Sequence, residues 1–553
     1  MLHFLLPSTS FQVSGRRSNW LKGLQSVERD SVDFLHGNAL RLNVGRRRRS
    51  SISSRFMPVF CTLESSDDFQ PASTFEFQNA VPPSVLKEAF GPALPKQVIQ
   101  RSRAKPVPHD FNWMNCWYPI MFDEDVPENK PVRFKLFDEP RVLWRGKDGA
   151  IHCLVDICPH RGVPLSSGRI VDEGIECGYH GWTFNGGGQC TRIPQLPEGK
   201  SIPRRSCGKA FQVAIRQGIV WLWPDRSSFG VETDIPISKS LDDVDEFPVC
   251  NYTRDMPYDY SIQVENLLDV AHVHFTHHGF QGRRYNASHL VPTELIRTFK
   301  GNNRLPVLKA SWSHENSQAP DIDMEFRGPC QVEVTIHHPP HGVGKNVIYI
   351  TPTGDGQCRI LFRNASNFGR PLFHLVPRWL RHFVVHSIAD QDLLAILEQD
   401  QVLKPSDSSW RKVFFMPTSS DRLVLEFRKW FEQAAKTMPG REQSRSTKTR
   451  AFNSHVEARF LDRYSSHVAQ CSSCRVAARN ISILRRSLLA LSFTGVSFAA
   501  IISHVVGMNL SEFWSLEAPL ALALGCAIGN WILAEMEQRF YYCPQDAHIN
   551  KRP

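Results

Sequence analysis

Cys158-Pro159-His160-Arg161-Gly162 and Cys177-Gly178-Tyr179-His180-Gly181-Trp182 are the stretches that decide how this 553-residue chain is read. Together they give the spacing C-x-H-x16-C-x-x-H. Two thiolates and two imidazoles suit a [2Fe–2S] cluster of Rieske type. One iron takes both cysteines and the other both histidines, which raises the potential above that of an all-cysteine cluster. Each short loop carries one soft and one borderline ligand and so reaches both irons. A Cys2His2 zinc site uses the same residue types, but zinc fingers pair cysteine with cysteine and histidine with histidine along the chain.

A cluster that moves one electron needs an acceptor. About 90 residues on comes Glu265-Asn266-Leu-Leu-Asp269-Val-Ala-His272-Val-His274-Phe-Thr-His277. The spacing D-x-x-H-x-x-x-x-H places two imidazoles where a kinked helix aims both at one metal. Non-haem Fe(II) oxygenases combine two histidines with one carboxylate and leave open positions for O2 and substrate. His274 and His278 lie beside the motif and are assigned no iron. The third ligand has to come from elsewhere, and Ala389-Asp390-Gln391-Asp392-Leu-Leu-Ala-Ile-Leu-Glu398-Gln-Asp400 offers several acids on a segment with helical apolar spacing at Leu393, Ile396, Leu397 and Leu403.

With both motifs in place the chain resembles Rieske-type oxygenases. More narrowly, it resembles the plant and algal group that includes pheophorbide a oxygenase, protochlorophyllide-oxygenase-like proteins and the Rieske subunit of the inner-envelope translocon. Four stretches carry this: Tyr179 to Gln195, Gly218-Ile-Val-Trp-Leu-Trp-Pro224, Phe415 to Asp421 with Phe427-Arg-Lys-Trp430, and Phe460 to Cys474. The resemblance implies Asp392 as the iron carboxylate, with Asp390 and Asp400 as alternatives. It also implies that Asp269 bridges an iron histidine to a Rieske histidine of a neighbouring subunit, with Glu265 and Asn266 in support. Val270 departs from the proline usual in the group, and Gln281 to Val347 has no match.

The resemblance implies an α+β fold: a β-rich Rieske [2Fe–2S] domain, a helix-grip (START-like) catalytic domain with a curved antiparallel sheet, and a C-terminal transmembrane helical hairpin. The expected boundaries are 1–60 transit peptide, 61–108 linker, 109–235 Rieske domain, 236–440 mononuclear iron domain, 441–480 linker with a C-x-x-C motif, 487–535 two membrane helices and 536–553 stromal tail. Residues 1–60 hold +7 of the net charge of +10 and are rich in Ser and Arg, as organelle transit peptides are. The remaining +3 does not support a nucleic-acid partner. Fourteen cysteines in a chain this long do not form a small disulfide framework.

Cys471 and Cys474 form a C-x-x-C, a spacing that serves a disulfide or zinc. His467 lies close by, but the sequence shows no clear fourth ligand. The resemblance implies a redox switch addressed by thioredoxin, with two inert thiols near the membrane as the alternative. Ser487–Gly507 is an apolar segment long enough to span a bilayer, while Ala518–Leu533 is marginal. Arg475, Arg479, Arg485 and Arg486 before the first segment and Arg539, Lys551 and Arg552 after the second place both ends on one side.

The function expected is a membrane-anchored monooxygenase with a Rieske cluster and a mononuclear Fe(II). It would use O2 and electrons from ferredoxin on a chlorophyll-derived tetrapyrrole. It would work as a homotrimer facing the chloroplast stroma from the inner envelope or thylakoid membrane. The rivals are a redox-sensing component of a protein-import complex and an oxygenase for another apolar small molecule. Every expected iron ligand lies upstream of residue 400, so the tail is expected to be dispensable for iron assembly.

Overall fold

The computed structural model describes residues 111–242, 247–300, 305–314, 319–369, 375–403, 410–441, 462–505 and 514–543. The expected transit peptide, the 61–108 linker, residues 442–461 and the last ten residues lie outside the described residues.

Ten short strands build the first half. They are β1 (Tyr118–Phe122), β2 (Val132–Leu136), β3 (Glu139–Arg145), β4 (Ile151–Val155), β5 (Arg169–Val171), β6 (Gly174–Glu176), β7 (Thr183–Phe184), β8 (Cys190–Arg192), β9 (Ala210–Arg216) and β10 (Ile219–Trp223). One sheet runs β1-β10-β9-β4-β3-β2 and a second β5-β6-β7-β8. The second sheet sits over a small core of Val142, Trp144, Leu154, Leu165, Ile175 and Phe184. Both Cys/His loops enter this layer, one between β4 and β5, the other between β6 and β7.

The second half is a seven-stranded antiparallel sheet in the order β11-β17-β16-β15-β14-β13-β12. Its strands are β11 (Val249–Met256), β12 (Leu290–Lys300), β13 (Leu305–His314), β14 (Asp321–Arg327), β15 (Gln331–His338), β16 (Gly342–Gly354) and β17 (Gln357–Ser366). The stretch 281–347, where the sequence alone showed no resemblance, supplies β12 to β15 of this sheet. Strand β14 shows why these segments pair: Ile322, Met324 and Phe326 turn inward while Asp321 and Asp323 turn out, the two-residue period of a half-buried strand. Helices α1 (Tyr260–Leu268), α2 (His272–Thr276), α3 (Arg378–Leu403) and α4 (Arg422–Ala434) complete the catalytic half. Helix α1 packs against β15, β16, β17, α3 and α4.

Two expected boundaries are corrected. Residues 111–117 were assigned to the first domain, yet Trp113 donates from Nε1 to the Ala434 carbonyl at 2.7 Å and packs against Phe111, Tyr260, Trp430 and Phe431. One core cluster joins Tyr118, Leu136 and Val220 of the first half to Tyr252 and Ile350 of the second. The 441–480 stretch is not all linker either. A π-helical turn at Tyr464–Val468 leads into α5 (Ser472–Val505), and His467, Val468, Cys471 and Cys474 are buried there.

Helix α6 (Trp514–Tyr541) pairs with α5. Both are long and apolar enough to cross a membrane, and the second candidate span, Glu517–Tyr541, is longer than its apolar segment alone. Ser492 donates to the Ala523 carbonyl, and Gly495 lets the helices approach closely at Pro519 and Ala523. Leu491, Phe493, Phe498, Ile501, Leu524 and Trp531 point outward.

Candidate metal centres

The two Cys/His loops have the same backbone plan. Cys158 N–H donates to the Val163 carbonyl and Gly162 N–H to the Cys158 carbonyl; Cys177 N–H donates to the Trp182 carbonyl and Gly181 N–H to the Cys177 carbonyl. Each turn closes through a glycine in the left-handed region, Gly162 at φ 75° and Gly181 at φ 74°. The plan separates the ligands by type. Cys158 and Cys177 share the buried core beneath the loops. His160 and His180 lie farther out, ring centroids 4.5 Å apart, with Trp182 stacked on His160. Paired cysteines inside and paired histidines outside match the donor set of a Rieske cluster.

The second centre begins where a helix breaks. Asp259 caps α1 by accepting from the Ser261 N–H, and α1 ends at Asp269, whose backbone is extended at φ −86°, ψ 106°. The chain restarts as α2 at His272. The break therefore forms without the proline whose place Val270 takes. It swings His272 and His277 toward Asp392 on α3. His277 Nε2 lies 3.2 Å from Asp392 Oδ2 and His272 Nε2 3.8 Å from Asp392 Oδ1. The three donor atoms lie within 4.8 Å of one another.

The outer nitrogens explain this aim. His272 Nδ1–H donates to the Asp269 carbonyl at 2.6 Å, and His277 Nδ1–H donates to Gln391 Oε1 at 2.8 Å. In the neutral ring each Nε2 is then a lone pair, the arrangement that orients metal-bound histidines. Burial pushes the His277 pKa down, but hydrogen bonding to Asp392 and its charge outweigh this, and the pKa lies above the ordinary value. Two histidines and one carboxylate fit a mononuclear Fe(II) with open positions.

The neighbouring residues fall as follows. Asp390 is buried in ion pairs with Arg254, at 2.6 Å, and Arg463. Asp400 is buried and outside the triad. His274 faces His314 at 3.2 Å, and His278 accepts from the Arg284 N–H. Asn266 Nδ2 is 3.4 Å from His272 Nε2, while Glu265 pairs with Arg428 and accepts from Gln399. Asp269 Oδ1 accepts from the Ala271 N–H, and its carboxylate stays one-third exposed. Gln391 has no motif around it, and sequence reasoning did not assign it.

Cys471 and Cys474 are free thiols, 1% and 0% exposed. His467 and His382 face them, and the four donor atoms also lie within 4.8 Å of one another. The fourth member of this group, which the sequence did not reveal, is His382 on α3. Exchange with a protein reductant requires these packed helices to open. An open hollow of about 600 Å³, lined by residues that include Lys239, Phe247, His337 and Lys345, contains none of these metal-site residues.

The family described as Rieske [2Fe-2S] domain matches residues 116–204, and the one described as pheophorbide a oxygenase matches residues 326–410. "Pheophorbide a oxygenase, chloroplastic" of Arabidopsis thaliana is 31% identical over 469 residues, 78% of this chain and 83% of the relative. "Flavonoid 8-hydroxylase 2, chloroplastic" of Ocimum basilicum is 30% identical over 452 residues, 77% of this chain and 83% of the relative. The crystal structure of dicamba monooxygenase bound to dicamba is 20% identical, with a TM-score of 0.47, and covers 59% of this chain and 98% of that one.

Proposed function

We propose that this chain, which belongs to the family of chloroplast Rieske oxygenases that includes pheophorbide a oxygenase, inserts one atom of O2 into a chlorophyll-derived tetrapyrrole with electrons from ferredoxin. The observation that carries this reading is the pairing, in one chain, of the two Cys/His loops with the converging triad of His272, His277 and Asp392. When bound, the cluster supplies single electrons and the mononuclear iron supplies oxygen activation.

The residues have separable tasks in this proposal. Cys158 and Cys177 would hold the cluster from the buried side, and His160 and His180 from the outer side. Asp269, through its carbonyl, keeps the Nδ1 proton on His272 and so leaves Nε2 for the metal. Its one-third-exposed carboxylate and the exposed His160 suit a path that crosses a subunit boundary in a homotrimer. The exposed apolar faces of α5 and α6 anchor the protein in the inner envelope or thylakoid membrane, with the catalytic body in the stroma. A membrane surface also suits delivery of an apolar ligand.

The pheophorbide match falls on β15 to β17 and on α3, the helix that carries Asp392, which supports the tetrapyrrole reading. The flavonoid-hydroxylating relative, nearly as similar, favours a second reading, a planar phenolic substrate. Full-length protein in detergent, supplied with reduced ferredoxin and 18O2, separates the two. One labelled oxygen atom in the pheophorbide product supports the proposal. Labelled flavone product with unchanged pheophorbide overturns it.

A further inference from the structure

We propose that His382, His467, Cys471 and Cys474 bind a structural zinc ion that clamps the root of the C-terminal apolar helices to the catalytic domain. All four residues are buried, and none belongs to the two iron sites. His467, Cys471 and Cys474 follow one another closely, from the π-helical turn to the first turn of α5, and folding brings His382 to them from the first turns of α3, 85 residues earlier than His467.

The distances suit one small ion. His382 Nδ1 is 3.1 Å from His467 Nε2, 3.2 Å from Cys474 Sγ and 3.7 Å from Cys471 Sγ. His467 Nε2 is 3.2 Å from Cys474 Sγ. Metal–ligand lengths of about 2.0–2.1 Å to nitrogen and about 2.3 Å to sulfur give a tetrahedron with edges of about 3.3–3.8 Å. The 3.7 Å separation falls within that range, and the other three, at 3.1–3.2 Å, fall just short of its lower end.

The hydrogen bonds around the group make the case stronger. His382 Nε2 lies 2.8 Å from the Asn251 carbonyl, and His467 Nδ1 lies 2.5 Å from the Thr253 carbonyl. A carbonyl oxygen only accepts, so both outer nitrogens carry their protons. Both inner nitrogens of the neutral rings are therefore lone pairs, and they face each other at 3.1 Å. Two acceptors at that distance in a buried site repel unless a cation lies between them. The two carbonyls belong to alternate residues of the edge strand β11, whose other side pairs with β17. An otherwise open strand edge thus orients both imidazoles, as outer partners do in metal sites. Cys474 N–H also points at Cys471 Sγ, at 3.5 Å.

Two thiols that bind Zn(II) release two protons, and the two thiolates cancel the charge of the ion. A neutral, buried centre results, which a pair of isolated thiolates would not be. With four protein ligands no position is left for water or substrate, so the role is structural rather than catalytic. Soft and borderline donors in this number select zinc over magnesium or calcium.

The test is metal analysis of the full-length protein purified in detergent after growth with zinc and iron. One zinc per chain is expected beside the iron. X-ray absorption at the zinc edge should show two sulfur and two nitrogen neighbours. His382→Ala and Cys474→Ala should lose the zinc yet keep the Rieske electron paramagnetic resonance signal. Should those variants fail to fold, the wild-type stoichiometry and absorption spectrum still decide. The proposal is overturned if the wild-type protein holds no zinc and its Cys471 and Cys474 are recovered as free thiols or as a disulfide. Iron in place of zinc on these four ligands overturns it equally.

Discussion

Replacing Gln391 by leucine tests the geometry of the iron triad through a residue that no motif marks. His277 is 2% exposed, and Gln391 accepts its Nδ1 proton at 2.8 Å. Leucine keeps the bulk and removes the acceptor, and a buried site offers no water in exchange. The neutral ring then does better with its proton on Nε2, donated to Asp392 across the present 3.2 Å. That tautomer occupies the lone pair the metal needs, and restoring the other leaves a buried donor unmet, a cost of about 1–3 kcal/mol. The expected loss of Fe(II) affinity is about 10–100-fold, the range found for such outer partners, or about 1.4–2.8 kcal/mol. The assay is Fe(II) titration of full-length protein depleted of mononuclear iron, with the Rieske resonance signal as a control for folding. Gln391→Glu keeps an acceptor and should retain iron. Affinity for Gln391→Leu within about twofold of wild type would refute the assignment of the His277 tautomer.

Three further outcomes are expected. Asp269→Asn should leave both centres loaded but slow electron flow from the cluster to the iron severely; stopped-flow oxidation of a pre-reduced cluster at the wild-type rate would count against that path. Asp390→Asn should destabilise the fold by about 3–5 kcal/mol, because two buried arginines lose their shared acid. Burial raises the Asp390 pKa, but Arg254 and Arg463 lower it more, so the folded pKa is depressed; the wild-type advantage in thermal unfolding should be full above about pH 4, the unfolded pKa, and fade as pH falls through the lower folded value. A protein cut after Arg450 should keep the Rieske signal but hold mononuclear iron poorly. Full wild-type iron content in that fragment would show that the tail does not support α3.

The cluster loops were legible because each ligand pair lies within a few residues, and a short loop determines its own geometry. The His272 and His277 pair was legible for the same reason, and the break before it forms at Asp269 even where Val270 stands for proline. Asp392 could be singled out only by resemblance, since spacing alone did not separate it from Asp390 and Asp400. The structure separates them by partners: Asp390 already serves two arginines, and Asp392 alone faces the imidazoles. His382 was out of reach because it meets His467 across 85 residues of chain. A signal did exist: His382, His386 and Asp390 recur every fourth residue on α3, a buried polar stripe where an amphipathic helix normally buries apolar side chains. The polar composition of 441–480 suggested linker, and the burial of His467 to Cys474 depends on partners that the local sequence does not name.

That polar stripe explains why the tail matters to the iron site. The first half of α3 buries His382, His386 and Asp390, the second half Leu393, Ile396 and Leu397. Apolar residues need only a surface, but each buried polar residue needs a specific partner. Strand β11 supplies one to each: the Asn251 carbonyl to His382, the Tyr252 hydroxyl to His386 at 2.9 Å, and Arg254 to Asp390. The tail supplies the rest, Cys474 to His382 and Arg463 to Asp390. Removing the tail therefore leaves the upper half of α3 with unmet buried groups directly beside Gln391 and Asp392, which orient and complete the triad. The Rieske loops rest on a separate small core and should not notice. The packing of α3 thus argues against the dispensability expected from ligand positions alone: the expected ligands lie upstream of residue 400, but partners of the helix that carries Asp392 lie downstream of residue 460.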